Sequence, residues 1–112
     1  MNTPQTPGRV TQHAAAFNAA VRSGDWTAFA DRFTPDATMH FTGVPVGPFT
    51  SREEIARAYA EQPPAETLTI TSTDSSGPVD TVRFTWASGG TGTMRLTWQG
   101  QLISSLTISF DS

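Results

Sequence analysis

Apolar positions near the start of the chain return at steps of three and four: Val10, His13, Ala14, Phe17, Ala20 and Val21 form one stripe. That is the period of an amphipathic helix, and it predicts one from Arg9 to Arg22, ended by Ser23-Gly24 where glycine most easily takes a left-handed backbone. Asp25 can cap a second, shorter helix carrying Trp26, Phe29, Ala30 and Phe33, which Thr34-Pro35 stops. In DATMHF the step falls to two, so Met39 and Phe41 lie on one side and His40 on the other. The segment VPVGPF then makes a connection stiffened by two prolines. A third helix is predicted from Thr50, where Thr50 and Glu53 of TSRE match a capping box. It carries Ile55 and Tyr59 and stops before Pro63-Pro64.

Beyond Pro64, threonine and serine dominate and the period stays at two, which suits strands. Four are predicted, near LTITSTD, VDTVRFTWAS, GTMRLTWQG and LISSLTISF, separated by SSGP, SGG and QGQ. Val82, Phe84 and Trp86 share a face, as do Met94, Leu96 and Trp98, and Leu106, Ile108 and Phe110. Arg83, Thr85, Arg95 and Thr97 take the other face. A sheet with one apolar face needs cover, and the three N-terminal helices are what the chain offers. The expected fold is α+β: a cone in which those helices pack in a curved, mainly antiparallel sheet, with a cavity between. Residues 1–8 read as a flexible lead and 9–112 as one domain.

Composition narrows the function classes. A chain of 112 residues, 37% hydrophobic and 10% aromatic, holds one core and is not disordered throughout. Seven arginines face ten acidic residues for a formal charge of −3 with no block of one sign, so no nucleic-acid partner is expected. Without cysteine there is no thiolate metal site, and the two histidines lie far apart with no local acidic chelate, so no metal is expected. Neither a dinucleotide fingerprint nor a phosphate-binding GxxxxGK[ST] occurs, and no cofactor is expected. The longest apolar runs fall well short of the roughly 20 residues that span a bilayer, and the polar MNTPQTPGR does not look like a signal sequence. A cytoplasmic protein without a membrane partner follows as the expectation.

The order of elements, with GDWTAFADRFTPDATMHFTG, TSREEIARAYA and the closing MRLTWQGQLISSLTISF, resembles the nuclear transport factor 2-like superfamily, especially its SnoaL-like and ketosteroid isomerase-like members. The likeness spans roughly residues 9 to 110. Its GDxxxxxxxFxPDA pattern runs here from Gly24 to Ala37 and marks the fold rather than a substrate. The resemblance implies positions for the isomerase groups, and this chain departs at each. The catalytic aspartate of the first strand falls on Phe41, the oxyanion-stabilising tyrosine of the first helix on Phe17, and the second, protonated aspartate on about Gly92. A phenyl ring neither shuttles a proton nor donates to an enolate, so that isomerase reaction is not expected. Tyr59 corresponds to the helix-three tyrosine near the isomerase site. Other members are cyclases, dehydratases and epoxide hydrolases, among which fold alone does not choose.

Two side chains are candidate catalytic groups. Tyr59 can donate to a carbonyl or phenolate oxygen, or simply anchor a cavity wall. His13, one turn before Phe17, can enter the cavity as acid or base, or sit as a half-exposed helical histidine. His40 points away from its apolar neighbours and reads as a surface or interface group. Asp36 reads as a turn-forming carboxylate. Phe17, Phe33, Met39, Phe41, Tyr59, Phe84, Trp86, Met94, Leu96 and Trp98 are the candidate ligand-binding set. They either fill a core or line a hollow for a flat apolar molecule. The threonine-rich face holding Arg83, Arg95, Thr97 and Thr107 is the expected homodimer surface, joining the resemblance to strand parity. The expected function is binding of a small apolar or polycyclic metabolite, with a pocket enzyme or a dimeric interaction module as alternatives.

Overall fold

A computed structural model describes residues 8–43 and 45–110; the expected N-terminal lead lies almost wholly outside them. The elements run α1 (Arg9–Ser23), α2 (Thr27–Ala30), β1 (Phe33–Thr42), α3 (Arg52–Glu61), β2 (Leu68–Ser76), β3 (Val79–Trp86), β4 (Thr91–Gln99) and β5 (Leu102–Phe110). The strands form one sheet in the order β1-β5-β4-β3-β2. The pairs β2/β3, β3/β4 and β4/β5 are antiparallel and β1/β5 is parallel, so the sheet is mixed. Among the described residues no helix is long and apolar enough to cross a membrane.

The apolar stripe of α1 is buried through Val10, His13, Ala14, Phe17 and Ala20. Gly24 ends the helix at φ 78°, where its N–H donates to the Ala20 carbonyl and a side chain would be strained. Asn18 holds α1 to the sheet: its Nδ2 donates to the Leu68 carbonyl and its Oδ1 accepts from the Leu68 N–H, both at 2.9 Å. The start of β2 is thereby fixed by a helix fifty residues earlier in the chain.

Two local expectations are corrected. The order of two helices, a strand and a third helix is the expected one, but α2 is a single turn. The Asp25 carboxylate accepts from the Thr27 N–H at 3.0 Å, but the helix closes at Ala30 and Phe33 opens β1 instead of extending α2. The Arg32 carbonyl already accepts from the Ile103 N–H at 2.8 Å, so pairing with β5 begins before Phe33. Pro35 therefore lies inside β1, within the register shift between Phe33 and Thr38, where a residue without an N–H disturbs no ladder bond. Asp36 is exposed on that bulge.

The α3 cap is shifted by one residue from its expected position. Ser51 is the N-cap and accepts from the Glu54 N–H at 3.0 Å, while Glu54 accepts from the Thr50 N–H at 3.2 Å. The Arg52 side chain donates twice to the Phe33 carbonyl, at 2.9 and 2.6 Å, joining the first turn of α3 to the start of β1.

Strand alternation sets the inner face. Val82, Phe84, Met94, Leu96, Ile103 and Leu106 are buried against α1, α2 and α3. Ile103 and Leu106 face inward together, despite their odd spacing, because the register shifts where Thr97 pairs with Ser105 and Trp98 with Ile103. After β1 the chain folds back on it: Met39 and Phe49 exchange backbone hydrogen bonds of 2.8 and 2.9 Å. This covers an edge that would otherwise stand open.

Candidate ligand cavity

A cavity of about 460 Å³ lies between the inner sheet face and the helices. Its buried wall comprises His13 and Phe17 from α1, Tyr59 from α3, Met39 from β1, Leu68 from β2, Phe84 from β3, Met94 from β4 and Leu106 from β5. Its mouth is made by the fold-back loop, through Pro45, Val46 and Phe49, and by Phe41, Glu61, Gln62, Pro64, Trp86, Ile108 and Phe110. Val46 and Phe110 are 44% and 41% exposed, large apolar groups left in water at the rim. Aromatic planes continue around it, with Phe41 and Phe110 near-parallel at 6.1 Å and Trp86 and Phe110 at 6.5 Å between centroids.

Of the ten candidate ligand-binding residues, Phe17, Met39, Phe41, Tyr59, Phe84, Trp86 and Met94 line this cavity. Phe33, Leu96 and Trp98 do not; they lie in the packed core, which corrects their expected place. The Phe33 ring meets Phe29 at 5.4 Å. Trp98 is occupied elsewhere, its indole N–H donating to Asp80 Oδ2 at 2.9 Å.

The two catalytic candidates both line the cavity. His13 is 2% exposed, so the half-exposed reading is overturned: Phe29 and Phe33 close over the ring, at 5.2 and 6.3 Å between centroids. Its Nδ1 is buried without a hydrogen-bond partner. Burial, helped by the positive charge of Arg32, lowers its pKa to about 3. The imidazole is therefore neutral at physiological pH, a hydrogen-bonding group rather than a base poised near 7. Tyr59 is buried too, stacked on Trp26 at 4.6 Å and edge-on to Phe29 at 5.2 Å. Burial holds its phenol above the ordinary value, so it acts as a neutral hydroxyl. His40 is exposed on the outer face of β1, opposite Thr107.

One buried polar cluster escaped the sequence reading. Asp80, 1% exposed, points inward among apolar neighbours. Its Oδ2 accepts from Arg9 Nε at 2.7 Å and from Trp98 Nε1 at 2.9 Å, and its Oδ1 from Arg9 Nη2 at 3.3 Å. The Arg9 guanidinium lies 5.2 Å from the centre of the Trp98 ring and also donates to the Gly77 carbonyl. The signal was present: the alternation that puts Val82 and Phe84 inside puts Asp80 inside as well. None of these three residues lines the cavity, so the cluster fastens α1 to the sheet rather than forming part of the site.

The positions onto which the resemblance places the isomerase groups are also defined. Phe17 and Phe41 line the cavity, whereas Gly92 is enclosed in β4. A Cβ there would stand 2.6 Å from Phe84 Cζ and 2.8 Å from the Ser109 carbonyl oxygen. A longer side chain at Gly92 would need the Phe84 ring to move.

The sequence pattern of the SnoaL-like domain family matches residues 14–104. The chain belongs to that family. No curated protein matches it. Among solved structures, a SnoaL-like protein of Burkholderia thailandensis is similar at 13% identity and TM-score 0.75, over 98% of this chain and 100% of the other. A nuclear transport factor 2-like protein of Cytophaga hutchinsonii is similar at 12% identity and TM-score 0.71, over 97% and 95%. A Catenulispora acidiphila protein with a ketosteroid isomerase-like fold, solved in complex with trimethylamine, is similar at 22% identity and TM-score 0.70, over 93% and 85%. At these identities the likeness establishes the fold.

Proposed function

We propose that this SnoaL-like chain binds a small apolar or polycyclic metabolite in the cavity between its sheet and helices. The observation carrying the reading is the cavity itself: about 460 Å³, with a buried wall in which His13 and Tyr59 are the polar side chains. That volume and composition match sites that enclose small organic ligands. Native mass spectrometry of gently purified protein tests it, followed by thermal unfolding with a panel of uncharged polycyclic compounds. A ligand at 100 times its Kd adds about 2.7 kcal/mol, which raises the midpoint of a domain this size by roughly 10 °C or more. Ala58→Trp, which pushes an indole into the space, abolishes that shift. No stabilisation by any compound, together with an empty native mass, refutes the reading.

An enzymatic form of the same reading has Tyr59 and His13 polarise a substrate oxygen in a SnoaL-like isomerase, cyclase or hydrolase. Its support is that both rings line one cavity. Loss of turnover in both Tyr59→Phe and His13→Ala supports it, and unchanged turnover in both removes these roles.

The outer sheet face is the proposed homodimer surface. Arg95 stands there between Thr81 and Thr107, and with Thr93 and Ser109 these residues line a hollow of about 250 Å³. A two-fold contact would set this hydroxyl-rich patch against itself. Light scattering across a wide concentration range decides: a strictly monomeric species refutes the dimer and leaves the cavity reading intact.

A further inference from the structure

The two ends of the cavity differ in charge. Among the described residues its lining contains one carboxylate, Glu61 at the mouth, and no arginine. Arg32, whose positive charge acts on the buried His13 ring, belongs to the other end. It directly precedes Phe33, whose ring lies 6.3 Å from that of His13, whereas Phe41 at the mouth stands at the far end of β1. The strand between them spans roughly 20–25 Å, allowing for its bulge.

Glu61 is the exposed last residue of α3. The free carbonyls of a helix C-terminus carry partial negative charge, so a carboxylate is disfavoured there and a cation favoured. The last turn of α3 has no basic residue to offset either, and Arg57, one turn earlier, forms no ion pair with Glu61. Helix stability does not account for this placement. Aromatic rings complete the rim: Phe41 and Phe110 are near-parallel at 6.1 Å, Trp86 follows at 6.5 Å from Phe110, and Phe49 stands edge-on to Phe41 at 6.4 Å. Ring faces attract cations through their quadrupole, and alkylammonium groups, being weakly hydrated, lose least on reaching them. A carboxylate, a helix end and a set of ring faces thus give one sign of potential at the mouth of an apolar cavity.

We propose that the ligand is an apolar skeleton ending in a positively charged nitrogen, the skeleton filling the cavity and the alkylammonium group held at the mouth by Glu61, the C-terminus of α3 and the rings of Trp86 and Phe110. This rests on the cavity-binding reading above and adds a charge and an orientation. The Arg32 charge at the inner end repels such a head group, so the skeleton enters first and the nitrogen stays outermost. An anionic end meets repulsion at the entrance instead. The interaction is one of recognition and needs no proton transfer.

Three probes share a benzyl skeleton and a branched head: benzyltrimethylammonium, its neutral isostere neopentylbenzene, and phenylmethanesulfonate. Each is titrated at pH 7 by tryptophan fluorescence against wild type, Glu61→Gln, Phe110→Leu and Ala58→Trp. Wild type binds the cation roughly tenfold more tightly than the neutral isostere, a factor equal to about 1.4 kcal/mol, and binds the sulfonate most weakly. Glu61→Gln lowers the cation affinity about fivefold and leaves the neutral probe unchanged. Phe110→Leu weakens the cation more than the neutral probe, and Ala58→Trp, which fills the space, abolishes binding of both. A neutral isostere bound as tightly as the cation, or a cation preference unchanged in Glu61→Gln, overturns the charged-end assignment and leaves the cavity reading standing. Cation binding that survives Ala58→Trp lies on the surface and overturns it as well. Failure of all three probes overturns both readings.

NMR reads the orientation separately. Intermolecular NOEs connect the trimethylammonium protons to the Trp86 and Phe110 rings, and the benzyl ring protons to the methyl groups of Met39 and Met94 on the buried wall. Trimethylammonium contacts with His13 refute the orientation.

Discussion

Removing either partner of the Arg9–Asp80 pair breaks the same contact, yet the two losses should differ in size. Asp80 is 1% exposed, whereas the Arg9 side chain is 38% exposed. Arg9→Met keeps most of the stem but leaves a buried carboxylate held by the Trp98 N–H and a hydrogen bond to Ser75. Stranding a buried charge costs about 3–5 kcal/mol when no water reaches it. The partly open position of Arg9 lets water take its place, so about 3 kcal/mol is the expected loss. Asp80→Asn removes the charge and leaves a guanidinium already near solvent. Its amide oxygen can still accept from Trp98, and the expected loss is about 1 kcal/mol. Urea unfolding followed by far-UV circular dichroism measures both, with equal m-values required for the comparison. The Arg9 guanidinium beside it holds the Asp80 carboxyl below its usual range, with the Ser75 and Trp98 hydrogen bonds helping, against burial. A depressed folded-state pKa contributes stability above the unfolded value of about 3.9, and that contribution is lost as pH falls through the folded one. The gap between wild type and Asp80→Asn is therefore constant from neutral pH to about 5 and closes below about 4. An Asp80→Asn loss equal to or larger than that of Arg9→Met refutes the asymmetry, as does a gap that widens in acid.

Gly92→Ala would bring a methyl group against Phe84 and the β5 backbone and should cost about 1–3 kcal/mol; unfolding of Gly92→Ala and Gly92→Ala/Phe84→Leu shows only partial rescue, because the Ser109 carbonyl stays in place. Asn18→Ala leaves both backbone groups of Leu68 without their side-chain partner and should cost about 1–2 kcal/mol, with faster amide hydrogen exchange concentrated at the start of β2. His13, its pKa lowered to about 3, should show no imidazole titration between pH 5 and 8 by NMR, and a midpoint near 6.5 refutes its burial. Because the unfolded chain takes up that proton first, His13 should also lower stability as pH falls from about 6.5 toward 3, by up to roughly 1.4 kcal/mol per pH unit, a slope absent from His13→Phe.

What could be read in the sequence and what could not divide along the range of the deciding contact. The alternation in β3 and β4 placed Val82, Phe84, Met94 and Leu96 on the inner face because a strand's parity is local. Phe33 was misassigned because its four-residue step from Phe29 is equally helical. Pairing with β5 settles the matter, and that partner lies seventy residues away. Thr50-Glu53 and Ser51-Glu54 are overlapping capping motifs of equal local merit. The clip between Met39 and Phe49 accompanies the choice of Ser51. The stripe of α1 included His13, but the depth of its burial depends on Phe29 and Phe33 closing over it. Asp80 was legible by parity, though its partners come from the first turn of α1 and from β4. The cavity wall was largely legible as a set of apolar residues. Which of them enclose space and which fill it was not, since Trp98 differs from Trp86 chiefly in having a carboxylate for its N–H.

The fold-back loop divides the molecule into a part that must be kept and a part that can vary. Pro45, Val46 and Phe49 contribute to the cavity mouth, yet this stretch joins the edge of β1 through one pair of backbone hydrogen bonds between Met39 and Phe49. The sheet owes its order to the ladders among β1–β5, which do not include this loop. A change of length or side chain at residues 45–48 can therefore reshape the entrance while leaving the scaffold alone. Selectivity in such a chain can diverge by exchanging one short segment at its edge, with the hydrophobic interior inherited unaltered.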